Sequence, residues 1–244
     1  MEEHFDWRRD EFQQIGTDYG SVEEVAAYDG RMRAMRDIDA ENRAILNCLG
    51  LKSKSAVLEI GTGTGAFARA AAKLCAHVTA LDVSEVMLKY ASLKAREEKL
   101  GNIDFLHAGF LSFDYPRRTF DAVVSSLALH HLPDVWKLVA LEKIFETLKP
   151  GGIFYLMDVV FDWGNGRPEE YFHRVVESVP ESRANIAMHI AREFSTTGWI
   201  MTGLLTRVGF VIESDVRHGE FLRTYCCRAV PASSSPVTRS RKAR

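Results

Sequence analysis

The chain is 244 residues long, 46% apolar and 26% charged, which is enough for one sizeable hydrophobic core at ordinary globular composition. Its formal charge of −2 predicts no overall pull towards nucleic acid or anionic lipid. No stretch approaches roughly 18 consecutive apolar residues, and the opening MEEHFDWRRD is charged where a signal peptide is basic and then apolar, so the expectation is no membrane partner and a cytoplasmic location.

The first fifty residues read as mainly helical, broken at Tyr19, Gly20 and Ser21, and are expected to form an N-terminal cap. From Ser55 onward short apolar runs alternate with segments of 3.6-residue periodicity; SAVLEI, HVTALD, NIDFLH, FDAVVSS and GIFYLMD are the strands. This alternation predicts a parallel sheet with helices on both faces. Ser84 is placed to cap the helix running towards Lys99. Leu141, Ile144, Phe145 and Leu148 form one apolar helical stripe, which Pro150, Gly151 and Gly152 are expected to stop. Residues 162–200 carry no clear strand and are expected to form an insertion. MTGLLTRVGF reads as a helix entering GFVIESD, followed by FLRTYCCRA, two strands whose short separation predicts an antiparallel hairpin. The expected fold is thus α/β and Rossmann-like, a seven-stranded, mostly parallel sheet over residues 51–230. Residues 231–244, rich in Ser, Pro and Arg, are expected to be a disordered basic tail.

Cys48, Cys75, Cys226 and Cys227 show no CxxC spacing, and the adjacent pair falls on a strand, where consecutive side chains face opposite ways. Reduced, buried thiols are expected.

The strongest local feature is AVLEIGTGTGAF. A buried strand ends at Glu59 and Ile60, and Gly61, Thr62, Gly63 and Gly65 turn the chain into a helix whose N-terminus favours an anionic ligand group. With Ala66 following, the same letters satisfy the dinucleotide fingerprint, so the loop alone does not choose a ligand. Asp82 ends the next strand about 20 residues beyond Gly61, the spacing that sets a carboxylate beside the loop to take two ribose hydroxyls. Its bland alternative is a helix cap before Ser84. Loop and carboxylate together predict an adenosine-containing ligand, NAD or S-adenosylmethionine (SAM).

Further blocks separate those two ligands. LEIGTGTG, ALDVSEVML, FDAVVSSLALHHLPD, LKPGGIFYLMD and the closing GF with its hairpin follow in the order of the class I SAM-dependent methyltransferases. Residues 40–229 resemble the ubiquinone/menaquinone-methyltransferase-like group. The resemblance implies SAM as cofactor, with Glu59, Gly61, Thr62, Gly63 and Gly65 at its methionine end, Asp82 on the ribose, and Val83 and Met87 near the adenine. Ser126, Leu127 and His130 would border the methionine and acceptor side. Acceptor specificity would come from residues 1–35 and 162–200, where Tyr19, Tyr28, Arg31, Arg33, Trp163, Tyr171, His173, His189, Arg192, Glu193 and Trp199 suit a small, partly planar or anionic acceptor. One position departs from the pattern. Gly109 is followed by Phe110 where the family carries Asp, and a phenyl ring cannot accept a hydrogen bond from the adenine amino group. Either backbone groups around Phe110 and Leu111 read the adenine, or the alignment shifts by a residue.

Methyl transfer from a sulfonium is an in-line displacement, for which a protein aligns donor and acceptor and excludes water. His130 and His131 are candidate bases, or else they only shape the turn after the fourth strand. Asp158, ending the fifth strand, is a candidate acceptor-binding group or a loop brace. No metal is expected, because the fourth strand ends in Ser125, Ser126 and Leu127 without a carboxylate. The expected acceptor is a small molecule. The alternatives are a macromolecular acceptor, RNA being steered by the basic tail, and a non-catalytic SAM-binding domain. An NAD-dependent oxidoreductase would leave the hairpin and the Pro-Gly-Gly block unexplained.

Overall fold

Apolar runs without polar alternation mark strands covered on both faces, and five of them lie side by side. In a computed structural model describing residues 7–13 and 19–230, they are β1 (Ala56–Ile60), β2 (His77–Asp82), β3 (Ile103–His107), β4 (Phe120–Ser126) and β5 (Leu148–Phe161). All five are parallel, in the order β3-β2-β1-β4-β5. The expected hairpin follows as β7 (Phe210–His218) and β8 (Leu222–Ala229), with β8 antiparallel to β5 and β7 at the edge. The expected tail at 231–244 lies outside the described residues.

Period-two alternation divides the core between the two faces of the sheet. Leu58, Ile60, Val123 and Phe154 pack with α5 (Asp134–Thr147) and α8 (Gly198–Val208), while Val57, Val78, Val124 and Tyr155 pack with α2 (Ile38–Leu49) and α3 (Ala66–Ala72). Ser84 caps α4 (Glu85–Glu97) as expected, its Oγ accepting from Met87 N–H at 3.1 Å. α1 (Val22–Met35) begins just after the break at Tyr19 and Gly20, capped by Ser21.

Four local expectations are corrected. α5 ends at Thr147, so Leu148 and the Pro-Gly-Gly run open β5 instead of stopping a helix. The insertion contains α6 (Pro168–Glu177), α7 (Arg183–Arg192) and also a two-residue strand, β6 (Thr196–Thr197), parallel to the end of β5. Residues 7–13 are not helical. Cys48 of α2 and Cys226 of β8 form a disulfide across a sequence separation of 178, while Cys75 and Cys227 are free and buried. A pairing over that distance leaves no trace in local spacing. Cys226 and Cys227 do face opposite ways, one in each half of the core.

Candidate functional site

Parallel strands end at one edge of the sheet, and a cleft opens there beyond β1, β2 and β4; it measures about 900 Å3 counting the space open to solvent. Gly61 and Gly63 turn the chain out of β1 with φ of +79° and +52°, a region that costs a residue with a Cβ about 1–2 kcal/mol. A Cβ on Gly61 would lie 2.4 Å from the Ala128 Cβ, so the turn meets the segment after β4 backbone-first. Asp82 pins this turn, accepting from Gly63 N–H and Ser84 N–H, each at 2.8 Å. Ser84 is itself the cap of α4, so capping does not account for Asp82. Burial raises the Asp82 pKa, opposed by those two backbone donors.

Gly61, Gly63, Asp82, Val83, Met87, Gly109, Phe110, Ser126 and Leu127, all expected around the cofactor, line this cleft. Glu59 and Thr62 line a second lobe, which shares Tyr28, Gly61, Gly63, Ser126 and Leu127 with the first and is walled by α1 and α2. Gly65 stands behind them at the start of α3, with Ala91 packed against it. Leu127 borders both lobes in the left-handed region at φ +55°, strain of about 1–3 kcal/mol that persists because packing and its N–H bond to Met157 O hold it.

Glu59 is buried and accepts a hydrogen bond from the Thr62 hydroxyl at 2.6 Å. Burial pushes its carboxyl up to about 8. A neutral acid poised this way becomes an anion when a cation docks beside it.

Residues 7–13 cross the cleft as a strap. Trp7 stacks on Trp136 of α5, Arg9 lies over the Phe194 ring and donates to His131 O, and Phe12 meets His107 edge-on. Between these anchors Arg9, Glu11 and Gln13 line the cleft. The Glu11 carboxylate accepts from Leu111 N–H at 2.9 Å and Ser112 N–H at 2.6 Å. It therefore stands beside Phe110, where the expected carboxylate is missing, while the Phe110 ring packs in the core. Nothing in the local sequence marks Glu11, whose partners are about a hundred positions away.

The two histidines separate in role. His131 lines the cleft; His130 is buried behind it. The His130 ring lies between two carboxylates, with Asp158 at Nδ1 and Glu193 at Nε2, the latter at 3.1 Å. Burial alone would lower the His130 pKa, but Asp158 and Glu193 outweigh it and raise it to about 9. Burial and the neighbouring His130 cation depress His131 to about 4. Asp158 does not reach the cleft rim. It is 1% exposed and accepts from the His130 backbone and ring and from Val159 N–H, which orients His130.

Of the residues expected to meet an acceptor, Tyr19 and Tyr28 line the main cleft and Arg33 the second lobe. Tyr171 is buried, donating to Glu220 O, and Trp163 packs near it. Trp199 is exposed on the outer surface, away from the cleft. His189 and Glu193 join the histidine cluster instead.

A family model described as a methyltransferase domain matches residues 57–152. An uncharacterized methyltransferase of Geobacillus sp. strain WCH70 is 32% identical over 72% of this chain and 79% of its own length. A demethylmenaquinone methyltransferase of Listeria welshimeri is 35% identical over 34% of each chain. Among solved structures, a SAM-dependent methyltransferase from Aquifex aeolicus superposes with a TM-score of 0.63 at 20% identity, covering 86% of this chain and 99% of that one.

Proposed function

Since the chain belongs to the methyltransferase family, we propose that it passes a methyl group from SAM to a small-molecule acceptor in the cleft beyond β1, β2 and β4. The observation that carries this reading is two adjoining pockets that share Tyr28, Gly61, Gly63, Ser126 and Leu127, with Asp82 beside the glycine turn in one and Glu59 in the other. Asp82 suits the ribose hydroxyls, and Glu59 suits the ammonium of the methionine end. Val83 and Met87 supply apolar contact for the adenine. Glu11 supplies the hydrogen-bond acceptor for the adenine amino group that Phe110 cannot.

The strap and α1 serve as the lid that excludes water and shapes the acceptor space. His131 is the histidine placed to meet an acceptor, with Tyr19 and Tyr28 across the cleft. A cleft so narrowed favours a small acceptor over a polymer, and the relative named for demethylmenaquinone supports the same class. Incubating the full chain with methyl-labelled SAM and separated cell fractions tests the acceptor: label should enter the small-molecule fraction. Label confined to RNA or protein would overturn that part of the reading.

A further inference from the structure

Beside the cleft, α7 brings two donors to one helix face. His189 and Glu193 are spaced i, i+4, one turn apart, with His189 Nδ1 2.9 Å from Glu193 Oε2. His130, from the turn after β4, brings its Nε2 to 3.1 Å from the same oxygen. The three donor atoms lie within 4.8 Å of one another. Ligands held at 2.0–2.2 Å around a tetrahedral zinc ion stand about 3.3–3.5 Å apart, close to the two nitrogen-to-carboxylate spacings of 3.1 and 2.9 Å, so forming a coordination shell chiefly requires the two ring nitrogens, within 4.8 Å of each other, to draw together.

The surroundings match what a metal centre requires of its outer partners. A ligating histidine needs its other ring nitrogen held, which fixes the ring. Asp158 holds His130 Nδ1, and Ser195 Oγ lies 2.7 Å from His189 Nε2. The corner carrying Glu193 is fixed as well, because Phe194 N–H donates to His130 O at 2.9 Å and the buried Lys137 ammonium donates to Phe194 O. We propose that His130 Nε2, His189 Nδ1 and Glu193 Oε2 bind one divalent transition-metal ion, which takes the place of the protons these ring nitrogens share with Glu193 and releases them to solvent. Two imidazoles and one carboxylate select zinc or a neighbouring borderline ion over magnesium or calcium. A fourth position falls on the side of His131, whose Nδ1 is 3.7 Å from Glu193 Oε2 and which lines the cleft. The ion would thus sit behind the part of the cleft wall that His131 forms. The end of β4 carries no carboxylate, in keeping with the expectation of no metal, but two of these donors come from the insertion, far from β4 in sequence.

Titrating the EDTA-treated, dialysed full chain with Zn2+ against a chromophoric competitor, and with Co2+ by visible absorption, tests the site. Uptake of one ion per chain is expected, with Co2+ bands of nitrogen and oxygen ligation. His189→Ala and Glu193→Ala should each weaken uptake at least about 100-fold, and Asp158→Asn roughly 10- to 100-fold. Circular dichroism checks the fold of each variant, and His189→Gln repeats the test with a bulkier side chain. No stoichiometric uptake by the folded wild type would overturn the site, leaving only a hydrogen-bonded ion cluster. So would uptake that persists in both ligand variants, or a thiolate band from Cys75 or Cys227. SAM titration of the same zinc-free protein keeps the outcome separate from the methyltransferase reading.

Discussion

A single methyl group at Gly61 has no room. Its Cβ would press on Ala128 Cβ at 2.4 Å from a backbone at φ +79°, so left-handed strain of about 1–2 kcal/mol adds to overpacking of about 1–3 kcal/mol. Gly61→Ala should therefore lower the urea midpoint and abolish SAM binding; wild-type values for both would refute the close approach. Glu59 makes a protonic prediction. With its carboxyl at about 8 in the unliganded chain, it is mostly neutral at pH 7, and a docked ammonium must ionise it. SAM binding should then release close to one proton, read as a dependence of the calorimetric enthalpy on buffer, and Glu59→Gln should remove that dependence. Stability follows with the matching sign. Between the ordinary 4.5 and about 8 the folded chain keeps a proton that the unfolded chain has lost, so the Glu59 contribution falls as pH rises through that window. Glu11→Ala should weaken SAM binding about tenfold, one charge-assisted hydrogen bond. Tighter binding would mean that Glu11 occupies the adenine edge instead of reading it. The glycine turn and Asp82 were legible in sequence because their partners are neighbours in a βαβ unit. Glu11 was not, because its donors at Leu111 and Ser112 meet it only once the strap crosses the cleft.

Helices and strands were legible wherever a single period ran uninterrupted, as in the apolar runs of β1, β2 and β4. The Pro-Gly-Gly run misled because its breaker residues are tolerated where β5 begins. Gly151 adopts φ +79° there, and Arg228 of β8 donates to its carbonyl. The short β6 has no period to read; its pairing with Val160 and Phe161 is made by tertiary contact. The link between α2 and β8 is likewise invisible to pattern. Reducing the Cys48–Cys226 disulfide releases a long loop and should cost roughly 3–5 kcal/mol. The urea midpoint should fall in dithiothreitol and in Cys48→Ser to a similar extent. A midpoint indifferent to reductant would contradict the bond.

The order of the whole sheet bears on the choice between NAD and SAM that the glycine turn left open. NAD-binding and SAM-binding sheets share β1, the turn and the acidic end of β2; here the sheet continues past β5 into an antiparallel β8 and an edge β7. That closure accounts for the terminal hairpin, and Asp82 and Glu59 line two pockets that meet at the glycine turn. Among the described residues no helix is long and apolar enough to cross a membrane. Calorimetric titration of the purified full chain with SAM and, separately, with NAD, repeated on Asp82→Ala, tests the central claim most directly. Saturable SAM binding, about 100-fold weaker in Asp82→Ala through loss of two hydrogen bonds to a charged group, with no saturable NAD binding, is the predicted result. A folded chain that binds NAD, or that binds SAM equally well without Asp82, would contradict it.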